Sequence, residues 1–211
     1  MMQTVTNKYT QPAHFSFVEK KSEFIADACH VENLDEAVDF VESIRAQHPK
    51  ARHVCFAAIV GANEAQFQER MSDDGEPSGT AGKPILQVLR RSGTTDTAIA
   101  VTRYFGGVLL GAGGLVRAYS TAASGALKAA EMSRVVPAQG MVCDLDYSQY
   151  ATLQHLIKQY RGVIHAENFT DKVSVEFLVP ISEVDRVEKA IRSVFQDTVK
   201  LVRGELESMM E

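Results

Sequence analysis

The chain has 211 residues, 45% of them hydrophobic, and a formal net charge of -5. That is enough for one large domain or two small ones with real cores, and too acidic for a protein that coats nucleic acid indiscriminately. Its apolar runs break well short of the ~20 residues a membrane span needs, and its N-terminus, with Thr4, Thr6 and Asn7, lacks a charged-then-apolar leader pattern, so a cytoplasmic location without membrane contact is expected. Cys29, Cys55 and Cys143 are odd in number, far apart and outside any CxxC, which fits neither a disulfide framework nor a zinc site and predicts reduced, buried thiols.

In chain order, FSFVEKKSEFIADACHV reads as a hairpin with its charged stretch, Glu19 to Glu23, near the turn. NLDEAVDFVESIRAQHP reads as a helix: Asn33 caps it, Asp35 and Glu36 suit its positive end, apolar residues recur with a 3.6 period, and Pro49 stops it. HVCFAAIVG is a short apolar strand with QFQERMSDDG as its pairing partner. KPILQVLRRSG follows as helix, DTAIAVTRYFGG as strand and LVRAYSTAASGALKAAEM as a small-residue helix suited to close packing on a sheet. At VVPAQG, Val135 to Gly140, the pattern is interrupted, which predicts a boundary between residues 1–137 and 138–211. Beyond it, MVCDLDYS, YATLQHLIKQY, GVIHAENF, KVSVEFLVP, SEVDRVEKAIRSVFQ and VKLVRGE give the order βαββαβ, that of a ferredoxin-like sandwich. The expected class is therefore α+β with two domains.

The stretch TRYFGGVLLGAGGLVRAYS, Thr102 to Ser120, places five glycines and two arginines between a strand and a helix, where phosphate-binding loops sit. The standard fingerprints fail there. GxGxxG from Gly111 and Gly113 meets Val116, GxxxxGK[ST] around Gly82 and Lys83 meets Pro77 and Pro84, and GEPSG puts Ser78 one position late for GxSxG. His48 and His53 have no metal-ligand spacing, and Asp73, Asp74 and Glu76 lack the order of a calcium loop. No metal and no cofactor are expected.

Helix starts carry the remaining signal. Pro84 at a first helical position makes Lys83 the cap residue, and the next helix, starting after Gly113 and Gly114, has Arg117 in its first turn. A cation at a positive helix end is unfavourable by about 0.3–1 kcal/mol unless an anion compensates. Two compensating anions are available: a phosphate ligand, or the protein's own Asp73, Asp74 and Glu76 folded back on the helix ends and arginines as a self-neutralised loop. In the first case Lys83, Arg103, Tyr104, Gly106, Gly107, Gly111, Gly113, Gly114 and Arg117 form a phosphate- or nucleic-acid-binding set, with Tyr104 and Phe105 suited to base stacking.

SDDGEPSGTAGKPILQVL (Ser72 to Leu89) and TRYFGGVLLGAGGLVRAYS together resemble the signature of the IMPACT family, and the whole chain is similar to its bacterial two-domain, YigZ-type branch. The resemblance implies an N-terminal domain like the second domain of ribosomal protein S5 and a C-terminal domain like the last domain of elongation factor G. It also marks Asp73, Asp74, Gly75, Glu76, Pro77, Ser78, Gly79, Thr80 and Gly82 as the family's acidic loop. Eukaryotic members modulate translational control through an additional N-terminal RWD domain for which this chain has no room, so that particular partner is not expected. What the resemblance does imply is contact with RNA, the ribosome or a protein partner in translation. Two rival expectations stand beside it. One is an enzyme in which Asp73, Asp74 and Glu76 hold a metal, or act as acid and base, on a phosphorylated or nucleotide-like small molecule. The other is an interaction module working through the ferredoxin-like sheet.

Overall fold

The computed structural model describes residues 2–61, 67–196 and 198–211. The chain is α+β and forms two compact units, Met1–Arg134 and Val135–Glu211.

The first unit begins with a short strand β1 (Met2–Val5) and is built on a five-stranded antiparallel sheet in the order β2-β3-β6-β4-β5. These strands are Ala13–Glu19, Ser22–His30, Thr97–Tyr104, His53–Val60 and Gln68–Ser72. The apolar runs of β4 and β6 are explained by burial on both faces. On one face lies α1 (Leu34–Gln47), capped by Asn33 through the Asp35 and Glu36 N–H groups, with Phe40, Val41 and Ile44 against Val54, Phe56, Ala98 and Ala100. On the other face lie α2 (Gly82–Ser92) and α3 (Ala112–Ala129), whose Ile85, Leu89, Leu115 and Tyr119 meet Phe24, Ala57, Ile99 and Val101. The alanines of α3 bring its backbone close to the sheet, as the small-residue pattern predicts.

The second unit follows as β7 (Met132–Leu145), α4 (Tyr147–Gln159), β8 (Val163–Phe169), β9 (Val173–Pro180), α5 (Val184–Phe195) and β10 (Lys200–Met210). The strands lie side by side as β10-β7-β9-β8, all antiparallel, and both helices contribute to a core with Met141, Leu145, Val175 and Phe177. This is the ferredoxin-like split βαβ order.

One local reading needs correction. Val135 to Gly140 is not an irregular linker but the middle of β7, with Val135 to Gln139 paired with Met210 to Leu206 of β10 and, from Ala138, also with β9. Pro137 sits one position before β9 pairing begins, where the missing N–H removes no bond to that strand. The Gln139 side chain donates to the carbonyls of Gly204 at 2.8 Å and Glu205 at 3.3 Å, satisfying backbone that the register shift between Arg203 and Leu206 leaves unpaired. A fragment of residues 132–211 is therefore expected to unfold cooperatively in urea, whereas residues 141–211, lacking the partners of Leu206–Met210, should give a broad, low-amplitude transition. Equal cooperativity of the two fragments would refute this.

Candidate functional site

The acidic loop between β5 and α2 is held almost entirely by its own chain. Asp73 accepts three backbone N–H groups: Gly79 at 2.7 Å on Oδ2, and Ala81 and Gly82 at 2.9 Å on Oδ1. It therefore caps α2 from outside the helix, whose N-cap Ala81 has no side-chain oxygen to offer. Burial pushes the Asp73 carboxyl up, but the three N–H donors outweigh it and hold the group below the usual carboxylate range. Gly82 is required at this close approach, since a Cβ there would stand 2.9 Å from the Ser72 carbonyl. Lys83 is thus not the cap but lies within the first turn, exposed, and Pro84 follows it.

Asp74 turns the other way. Its Oδ2 accepts from Val54 N at 2.6 Å and from Arg45 Nη1 at 3.1 Å, and its carbonyl oxygen accepts from His53 Nδ1 at 2.7 Å. Glu76 points inward, with its Oε1 accepting from Arg103 Nη1 at 2.6 Å and from the Tyr119 hydroxyl at 2.8 Å. The Arg103 and Glu76 side chains are only 7% and 3% exposed, so Arg103 is spent on an internal ion pair and cannot reach a phosphate in solution. Its guanidinium is flanked by the rings of Phe24 and Phe105 at 5.5 and 5.4 Å, and its Nε has no acceptor among the described residues. Cys55 Sγ extends the network, 3.4 Å from the Tyr119 hydroxyl and 3.0 Å from the Asp73 carbonyl oxygen. Burial above all, then the neighbouring Cys55 and Glu76, pushes the Tyr119 hydroxyl far above its ordinary range, and burial does the same for the Cys55 thiol. Both stay protonated at neutral pH, so the tyrosine donates and the thiol is not a nucleophile.

The three carboxylates of the loop thus diverge to three separate sets of protein donors. Among the described residues no group of three or more His, Cys, Asp or Glu is placed to hold a metal ion. Pro77 and Ser78 are exposed at the loop's tip, Thr80 is buried with its hydroxyl on the Pro77 carbonyl, and Gly75 and Gly79 take positive φ at its turns.

The second glycine segment is arranged differently. α3 starts at Ala112 with Gly111 as its cap residue, φ +71°, so Gly113 and Gly114 are inside the first turn and Arg117 is in the second. Among the described residues no side chain accepts from its first N–H groups. Arg117 is exposed, yet its guanidinium folds back: a Cβ on Gly113 would stand 3.6 Å from Nη1. Beside it is a hollow lined by Phe17, Glu19, Lys20, Leu110, Gly114, Arg117 and Thr121. Lys20 and Lys21, at positive φ in the β2–β3 turn, are both exposed. Gly106 lies against that turn so closely that a Cβ would fall 1.9 Å from the Lys21 carbonyl oxygen, and its N–H donates to Ser22 Oγ at 3.2 Å. Gly107 also takes a positive φ with open space around it. Tyr104 is committed elsewhere, its hydroxyl 3.0 Å from His48 Nδ1.

The structure therefore brings Arg117, Gly106, Gly113 and Gly114 to one surface with Lys20 and Lys21, which the sequence reading did not include. It removes Arg103 into the interior and leaves Lys83 and Tyr104 to other surroundings. The missed lysines carried one signal, their place at a hairpin tip, but the register of β3 on β6, which sets Gly106 opposite Lys21, is a long-range pairing.

Among the described residues, no helix is long and apolar enough to cross a membrane. Residues 20–127 match the family model described as the Impact N-terminal domain, and residues 143–198 match a domain of unknown function, DUF1949. The chain is 37% identical to the IMPACT family member YigZ of Escherichia coli, covering 87% of this chain and 90% of that protein. It is 42% identical to an IMPACT family member of Haemophilus influenzae, covering 78% and 79%. A crystal structure described as that of a hypothetical protein superposes with a TM-score of 0.72 at 34% identity, covering 97% of this chain and 98% of that one. Both glycine segments lie inside the matched residues 20–127, and with both relatives similar over most of their length the chain belongs to the IMPACT family.

Proposed function

We propose that this protein is a cytoplasmic, RNA- or ribosome-associated member of its family that contributes to the regulation of translation by holding nucleic-acid phosphate at the start of α3. The observation that carries this reading is the contrast between the two helix starts. α2 is neutralised by Asp73, whereas among the described residues no side chain accepts from the start of α3, and Arg117 and Lys20 line the hollow beside Gly114 in its first turn. Free N–H groups, a positive helix end and two cations suit a phosphate oxygen. The link to translation comes from the eukaryotic members of the family. The metal-assisted alternative draws on Asp73, Asp74 and Glu76, each of which already accepts hydrogen bonds from the protein.

The test is salt-titrated binding of an RNA oligonucleotide. Replacing both Lys20 and Arg117 with alanine should weaken binding across sequences and make the slope of log K against log salt shallower by about 1.4, two single-strand phosphate contacts. The melting temperature should barely move, because both side chains are exposed and neither has an ion-pair partner among the described residues. Replacing Glu19, a carboxylate lining the hollow, with glutamine should tighten binding. An unchanged slope in the double variant would remove the phosphate reading.

A further inference from the structure

Phe105 is an exposed aromatic side chain outside the buried core. It follows directly on β6 with 49% of its surface exposed, and beside it Val108 and Leu109 are 40% and 81% exposed. Exposing so much apolar area on one loop is unfavourable and marks a contact surface. The ring is nonetheless held in place. The Arg103 guanidinium lies 5.4 Å from its centroid and is itself fixed by Glu76, while the next residue, Gly106, is pinned to Ser22 and pressed against Lys21. The result is an aromatic face backed by a buried cation and followed directly by Gly106, which lies against the turn carrying the exposed Lys20 and Lys21, and Lys20 in turn lines one hollow with Arg117.

We infer that the nucleic acid held here is single-stranded, and that an unpaired base stacks on Phe105 while the neighbouring phosphates follow Lys21 and Lys20 toward Arg117. This rests on the phosphate-binding reading above and names its substrate class. The chemistry decides between strands. In a duplex the base faces are already occupied by their neighbours and only the edges and phosphates are available, so an aromatic face beside a row of cations adds nothing to duplex binding. An unpaired base offers its π-face to the ring whatever its identity, which predicts strand selectivity with little sequence preference. Tyr104, the other aromatic residue at this strand end, is not the platform, since its ring packs edge-on against His48, 5.9 Å between centroids, and its hydroxyl is bonded there.

The experiment uses the full chain and two fluorescein-labelled RNAs of equal charge, an oligouridylate and a blunt-ended, fully paired duplex. Phe105→Leu, which keeps an apolar cover over Arg103 but has no aromatic face, should weaken oligouridylate binding about 5- to 100-fold and leave duplex binding unchanged. Phe105→Tyr should retain both, and 2-aminopurine placed in the single strand should be quenched by wild type and by Phe105→Tyr but not by Phe105→Leu. If Phe105→Leu binds the oligouridylate as wild type does while the Lys20 and Arg117 double variant loses both RNAs, stacking is overturned and the phosphate reading stands. If the double variant also binds normally, both fail. Equal loss of the two RNAs in Phe105→Leu would also overturn the inference, assigning this loop to protein contacts or to the support of Arg103.

Discussion

Replacing Arg103 with alanine is expected to lower the unfolding free energy of the N-terminal unit by about 3–5 kcal/mol, because it strands the Glu76 carboxylate, 3% exposed, without its cation. Glu76→Ala should be as damaging for the converse reason, leaving a buried guanidinium whose Nε already has no acceptor among the described residues. The two losses should not add. Once one partner is gone the other is a liability, so the double alanine variant is expected to be clearly more stable than the sum of the singles predicts. Urea unfolding checks this through the midpoint at constant slope. Should the single variants fold too poorly to measure, Arg103→Lys keeps the charge but not the guanidinium fork and should show a smaller loss of the same sign. A loss below about 1 kcal/mol in Arg103→Ala would mean that the pair is not the internal lock described here. The same measurement separates the two anions weighed for this arginine, since a ligand-binding arginine would lose affinity with little change in stability.

What was legible in the sequence was whatever depends on near neighbours. The βαββαβ order, the Asn33 cap of α1 and the small-residue face of α3 all follow from patterns a few residues long, and the structure has them. The misreadings share one cause, a partner far away in the chain. Lys83 reads as a cap because Pro84 suits a first helical position, but the capping carboxylate of α2 is Asp73, reaching Gly82 from nine residues upstream rather than from within the helix. Val135 to Gly140 reads as a break because Pro, Gln and Gly are loop residues, yet Gln139 earns its place by satisfying carbonyls 65 and 66 residues later. Arg103 looks like half of an arginine pair around a glycine loop. Its partner is 27 residues earlier, and only the folded sheet decides between the self-neutralised and ligand-held alternatives that its charge allowed.

Replacing Asp73 with alanine should cost about 2 kcal/mol or more, since three backbone N–H groups in the loop and at the start of α2 lose the carboxylate they donate to. Asp73→Asn is the more informative variant. Oδ2 receives Gly79 while Oδ1 receives Ala81 and Gly82, so an amide, whichever way it is rotated, must turn its own NH2 group toward at least one backbone donor. The pH dependence then follows from the direction of the shift. The folded-state pKa of Asp73 lies below its unfolded value, so the ionised carboxylate stabilises the fold fully above the unfolded pKa, about 3.9, and that contribution fades as the pH falls from there through the lower folded value. The difference in unfolding free energy between wild type and Asp73→Asn should accordingly be constant from pH 7 to about pH 5 and should shrink toward pH 3. Urea titrations of both proteins at each pH measure it, with Glu69→Gln as a control. Glu69 is also held low, first by its hydrogen bonds from Arg90, but it sits on an exposed pair that should contribute at most about 1 kcal/mol. A wild-type advantage over Asp73→Asn that is equally large at pH 3 and pH 7 would show that the carboxylate's charge is not what caps α2.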